Sequence, residues 1–308
     1  MSASPALKPG APTAPGLRAA ANAKRAAAQE RASWLLVSPL VLVLGLFLVL
    51  PIATIVVVSF WDYNEYNFFP AFITDNYEYL LTSKVTLDTY LKTFKFVVLV
   101  WIFCTVIGFT IAYFLAFHVR SLPIQIALFL ICTVPFWTSN IIRMISWIPF
   151  LGRNGIANSA LIGAGVIDEP LEWLLFSDFA VVLAFVHLYA LFMVVPIFNT
   201  MMRIDKSLIE AARDAGATGF QILTNVIIPL TKPGIMIGSI FVVTLVMGDF
   251  ITVRFMSGGQ SASVGRVISN EIALLQYPAA AASAVVLLVT VLIMIGIMMR
   301  FVDIRKEL

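Results

Sequence analysis

Residues 203–235 read RIDKSLIEAARDAGATGFQILTNVIIPLTKPGI, and the reading of this stretch decides what surrounds it. Asp205 or Ser207 can cap a helix, because a short side-chain oxygen there accepts from an otherwise unpaired backbone N–H. Ser207 and Glu210 have capping-box spacing. Leu208, Ala211, Ala212 and Ala215 then form a small apolar face, with Glu210, Arg213 and Asp214 on the rest. Gly216 and Gly219 can stop the helix. A second amphipathic stretch, Phe220 to Ile228, ends at Pro229, and Pro233 opens a long apolar run. The expectation is a short helix lying on a membrane face, a turn, and a span. Its small residues suit close docking into a partner's groove.

The rest of the chain supplies the membrane. Of 308 residues, 60% are hydrophobic and 12% charged, where a soluble domain is nearer half and a quarter. A span needs roughly 20 mainly apolar residues. Six stretches qualify: 34–60, 95–117, 123–148, 178–200, 233–254 and 280–301. With the amino terminus in the cytoplasm, the inner segments carry thirteen of the 20 Lys and Arg and the outer segments seven. That bias places both termini inside. The formal charge of +3 does not point to nucleic acid. Cys104 and Cys132 lie in apolar runs, and His118 and His187 are far apart, so neither a disulfide scaffold nor a metal site is indicated. Residues 1–33, rich in Ala and Pro, read as a disordered cytoplasmic tail.

Within this frame, EAARDAGATGFQILTNVIIPL resembles the EAA loop of ABC importer permeases. Glu210, Ala211, Ala212, Gly216 and Pro229 match that pattern, with Asp214 beside them; Val226 and Ile228 are conservative departures. The resemblance covers residues 34–305 and includes the coupling loop 203–232. It implies an all-α integral membrane protein of six transmembrane helices, type I ABC importer permease-like, with both termini cytoplasmic. It also implies a transport subunit without catalytic residues or cofactors of its own. Two partner ATP-binding subunits would bind ATP and Mg. A second homologous permease, forming a heterodimer, and a periplasmic or extracellular substrate-binding protein complete the set, within the lipid bilayer of the bacterial inner membrane. Glu210 either pairs with a cation on the ATPase or helps cap its own helix.

Two further stretches resemble spermidine/putrescine-type permeases. VPFWTSNIIRMISWIPFLGRNGIAN (134–158) matches at Pro135, Trp137, Thr138, Ser139, Ile142, Arg143, Trp147, Gly155 and Asn158. MGDFITVRFMSGGQSASVGRVISNEI (247–272) matches in a Gly-acid-Phe triplet, a Gly-Gly pair and GRVI. The implied cargo is a polyamine; phosphonates, iron or other small amines are the alternatives. Asp249 lies 16 residues beyond Pro233, about 24 Å along a helix. An acid at that depth is costly and faces a partner or a water-filled cavity. With Trp137, Arg143, Trp147 and Phe250 it makes a candidate substrate path; the alternative is a structural Asp249 paired with Arg143 or Arg254. His187 reads as hydrogen-bonded between helices, and Gly234 and Gly238 as a close helix contact.

Ser257-Gly258-Gly259-Gln260 looks like an ABC ATPase signature, but the chain contains no G-x-x-x-x-G-K-[ST] loop and places these residues outside. They read as an external turn. An ion-coupled secondary transporter would predict more intramembrane ionisable residues or an inverted repeat.

Overall fold

The computed structural model describes residue 34, residues 36–64 and residues 67–300. The amino-terminal tail, Glu65, Arg305 and Lys306 lie outside the described residues. The first apolar run forms α1, Leu36–Val58. A two-residue hairpin follows, β1 Asp62–Tyr63 and β2 Phe68–Phe69, antiparallel with Asp62 opposite Phe69. Asn76, in the short helix α2 (Asp75–Thr82), donates to the carbonyls of Ser59 and Trp61. Trp61 stacks on Phe68, and Phe68 is edge-on to Tyr277.

The long helices are α3 (Lys84–His118), α4 (Leu122–Trp137), α8 (Asp178–Met201), α10 (Gly219–Gly248) and α13 (Tyr277–Arg300). Between α4 and α8 lie α5 (Asn140–Ile145), α6 (Trp147–Leu151) and α7 (Ile156–Gly163). The loop helix α9 is Lys206–Asp214, and the far end of the bundle carries α11 (Ile251–Met256) and α12 (Val264–Ala273). Among the described residues, five helices are long and apolar enough to cross a membrane, and the bent α4–α7 pair adds a sixth if it is one broken span rather than a re-entrant loop. Apart from the short hairpin, the described residues form an all-α membrane bundle.

Helices α3, α8 and α10 pack on one another and make the core. Phe96, Val100 and Cys104 from α3 meet Phe185, Met193 and Ile197 from α8, and Val242, Val246 and Met247 from α10. Gly108 and Gly238 let their helices approach Met193, and Gly234 lies against the backbone of Pro196 and Ile197. The close contact expected of Gly234 and Gly238 is therefore made, against α8. Many large aliphatic side chains, Leu46, Phe103, Ile131 and Ile297 among them, are exposed, as lipid-facing positions require.

Three boundaries differ from the expected ones. The second span starts at Lys84, not 95, because Ser83 accepts from the Thr86 N–H and caps the helix ahead of its apolar part. The third, expected as one run over 123–148, bends by 91° at Thr138 and Ser139, whose backbones are extended. Thr138 Oγ1 and N–H both donate to the Pro135 carbonyl, closing α4 there. The fifth runs without a turn from Gly219 to Gly248, through Pro229 and Pro233, and stops short of 254. A proline clashes with the carbonyl four residues before it. For Pro229 that residue is Asn225, which sits in a π-helical stretch, Leu223–Ile227, that opens the ladder. Pro51 in α1 has the same arrangement, with Gly45–Val49 π-helical before it.

Candidate functional site

The loop helix is built as its residues demand, with one change of cap. Asp205 accepts from the Ser207 N–H at 2.9 Å, so Asp205 and not Ser207 is the N-cap. That backbone bond holds the Asp205 carboxyl below its ordinary range. The capping box falls one helix later, where Thr218 accepts from the Gln221 N–H and Gln221 from the Thr218 N–H. Gly216 adopts φ +82° just past α9, a conformation that costs glycine little and other residues more. Gly219 starts α10 and does not stop α9.

The faces of α9 are not those read from the sequence. Ala212 is half-buried and packs, with Ile209 and Ala217, onto the chain's own bundle. Leu208, Glu210, Ala211, Asp214 and Ala215 are exposed, as is Phe220 just beyond. The free apolar face is therefore Leu208, Ala211 and Ala215. Pro229 is exposed within α10, 19 residues from Glu210 along the chain.

At the other end of α10, Asp249 terminates the helix and receives three hydrogen bonds. Its Oδ1 accepts from the Thr252 N–H at 2.9 Å. Its Oδ2 accepts from Thr252 Oγ1 at 2.7 Å and from the Tyr189 hydroxyl at 2.6 Å. All three donors are neutral. Among the described residues the ion pairs are Lys95–Asp178 and Arg153–Glu172, so neither Arg143 nor Arg254 pairs with Asp249. Arg143 is 8% exposed, donates to Asn140 Oδ1, and its Nε is buried without a partner. It lies within electrostatic reach of both Tyr189 and His187. Trp147 Nε1 donates to His187 Nδ1 at 3.0 Å, the interhelical bond expected of that histidine.

Of the five residues assigned to a path, Arg143, Trp147 and Asp249 thus converge on the His187–Tyr189 segment of α8. Trp137 is 78% exposed and lines a separate cavity of about 410 Å³ with Phe136, Phe192 and Phe241. Phe250 is half-buried at the N-cap of α11. Tyr189 and Thr252 were not singled out in the sequence; a tyrosine amid the apolar residues of α8 was the available signal. Three cavities follow α8 in series. One of about 270 Å³ is lined by Arg143 and His187. It shares Phe136 and Leu191 with the 410 Å³ cavity, which shares Val195 and Pro196 with one of about 560 Å³ at Arg203 and Asp205.

The Ser257–Gln260 stretch is a tight turn, as expected. Ser257 is fully buried, Gly258 and Gly259 have φ +56° and +93°, and a Cβ on Gly258 would strike the Phe176 ring.

The described residues thus make a bundle of lipid-facing helices with an exposed, separately capped helix in a loop between two of them. The sequence pattern of the family described as binding-protein-dependent transport system inner membrane components matches residues 105–306, and the chain belongs to that family. It is the membrane permease of an ABC transporter, not an enzyme, and ATP hydrolysis falls to a separate chain. The chain is 34% identical over 260 residues to the spermidine/putrescine transport system permease protein PotB of Escherichia coli (strain K12), covering 83% of this chain and 91% of that one. The osmoprotective compounds uptake permease protein GgtC of Synechocystis is 28% identical over 72% of this chain and 80% of its own length. Among solved structures, a bacterial alginate ABC transporter in complex with a pentasaccharide-bound periplasmic protein superposes with a TM-score of 0.72 at 16% identity. That match covers 89% of this chain and 94% of that one. A second alginate importer gives 0.72 at 20% identity, over 91% of this chain and 100% of that one. These two show the shared fold.

Proposed function

We propose that this permease imports polyamines of the spermidine/putrescine kind. The observation that carries the reading is the 34% identity to polyamine permeases over 83% of the chain. In this reading two ATP-binding subunits, which hold ATP and Mg, seat α9 through the exposed face of Leu208, Ala211 and Ala215. A second, homologous permease completes the pathway, and an external binding protein delivers the cargo.

The Asp249 cluster supports a cationic cargo. Three neutral donors hold the Asp249 carboxylate, and among the described residues no basic side chain lies within ion-pair distance of it. An ammonium group entering between α8 and α11 would meet that carboxylate beside the Tyr189 hydroxyl.

The test is reconstitution with the ATP-binding subunits, the second permease and the binding protein of the same transport system, followed by spermidine uptake. ATP-dependent uptake is the expected result, and Asp249→Asn should lower it by at least about tenfold, the loss of ~1.4 kcal/mol, with assembly unchanged. Uptake by Asp249→Asn equal to wild type would remove the acid from the path. No uptake by the wild-type assembly, with transport of another solute, would overturn the cargo.

A further inference from the structure

One face of α8 borders all three cavities. His187, Leu191, Val195 and Asn199 follow one another at four-residue intervals, the spacing of neighbours on a helix surface. They line the cavities in turn, with Arg203 just past the helix end. His187, Asn199 and Arg203 are exposed. His187 lies about 14 Å along α8 from Asp178, at membrane depth. An imidazole at that depth faces a bundle interior or a water-filled cavity as a rule, not acyl chains.

In the middle cavity, of about 410 Å³, three helices bring rings together. Helix α4 closes at Thr138, which leaves its last two residues, Phe136 and Trp137, at the cavity wall. Phe192 comes from α8 and Phe241 from α10. The Phe192 ring is the hub. It is edge-on to Phe136 at 5.5 Å, tilted against Phe241 at 6.0 Å, and edge-on to Tyr189 at 6.2 Å. Tyr189 in turn donates to Asp249, so rings in contact join the carboxylate to the cavity. Leu191, Val195 and Pro196 complete an apolar wall, and among the described residues no charged one lines it.

The charges on either side give this cavity its meaning for a cation. Arg143 lines the neighbouring cavity toward His187, and Arg203, with Asp205, the one toward α9. Either guanidinium repels an ammonium group. Between them the ring faces attract one, since a cation within about 6 Å of a ring centroid meets the negative face of the quadrupole, the more strongly where water is excluded. Methylene groups suit the same apolar wall. An alkylamine, with a charge at the end of a hydrocarbon chain, uses both features, whereas a lipid chain uses only the wall.

We propose that Phe136, Trp137, Phe192 and Phe241 form a second cargo site, an aromatic cage that takes the ammonium end and methylene chain of an alkylamine after Asp249. The proposal rests on the polyamine reading for the identity of the cargo, not for the chemistry of the cage.

Two measurements test it. The first is thermal unfolding of the purified permease assembly, titrated with n-butylammonium chloride and compared with NaCl at equal ionic strength. It is made in the Asp249→Asn background, so that the acid adds nothing. The expected result is a saturable rise in Tm of roughly 2 °C with the amine, retained in Trp137→Phe and lost in Trp137→Leu, which keeps an apolar side chain but has no ring face. The second is spermidine uptake with Asp249 intact. Trp137→Leu should lower it at least about fivefold, and Trp137→Phe should keep more than half. No rise in Tm, or the same rise in Trp137→Leu, overturns the cage, and is what a lipid chain filling the cavity would give. A rise lost in Trp137→Leu while that variant transports normally overturns the cage as a cargo site. A Trp137-dependent rise without spermidine uptake by the wild type overturns the polyamine cargo and leaves the cage standing. Should Trp137→Leu fail to assemble, Phe241→Leu, at an exposed position of α10, decides on the same criteria.

Discussion

Leucine at Gly234 should abolish recovery of a folded permease, and alanine should already lower its Tm. A Cβ at this position would stand 2.6 Å from the Pro196 carbonyl oxygen and 3.0 Å from the Ile197 Cα. Both are backbone atoms on α8, so no side-chain rotation relieves the clash. The only remedy is to part α8 from α10, and that contact organises the core. Overpacking of this kind costs about 1–3 kcal/mol for a few atoms and more when backbone must move. In a membrane there is little hydrophobic drive to restore a separated pair of helices, so close packing carries much of their association. Size-exclusion chromatography of the detergent-extracted protein is the measurement. Gly163→Ala is the control, since a Cβ there meets nothing within 4 Å. A Gly234→Leu protein eluting and melting like the wild type would show that α8 and α10 do not depend on this approach.

The second large effect separates two neighbouring alanines. Tryptophan at Ala211 should leave the membrane bundle intact and reduce ATP-driven uptake by at least tenfold, the consequence of losing ~1.4 kcal/mol of docking. Ala211 is exposed and shares a face with Leu208 and Ala215, which in the proposed assembly lies in the ATPase groove. Tryptophan at Ala212 should act differently. That side chain is half-buried against the bundle with Ile209 and Ala217, so the large ring would prise α9 from its own chain and lower the yield of folded protein. Co-purification of the ATP-binding subunit, scored beside uptake, distinguishes the two. Normal uptake by Ala211→Trp would show that this face does not dock.

The contrast between those alanines also marks what was legible beforehand. The spans were legible because twenty apolar residues in a row have few alternatives, and the loop helix because Asp205 and Gly216 mark its ends chemically. The rotation of α9 was not, since Leu208, Ile209, Ala211 and Ala212 offer two apolar faces of similar character. Packing against the bundle chose Ile209 and Ala212. The bend at Thr138 was equally hidden. Pro135 precedes it, but Pro196 and Pro233 lie inside helices that continue, so a proline in an apolar run does not by itself announce a break. The partners of Asp249 were half legible. Thr252 is three residues away and local, whereas Tyr189 is 60 residues earlier and reaches Asp249 only because α8 and α10 cross closely.

Helix α10 is continuous from Gly219, beside the exposed loop helix, to Gly248, next to the Asp249 carboxylate. Thirty residues of helix make a rod about 45 Å long. Its softened stretch, Leu223–Ile227, lies near the loop end, and Pro233 lies inside the helix beyond it. Movement of this helix as one body would carry Phe220 and Asp249 together. For a transporter driven by a separate motor, this is the difference between a pushrod and a chain of relays: opening at the far end keeps time with the motor.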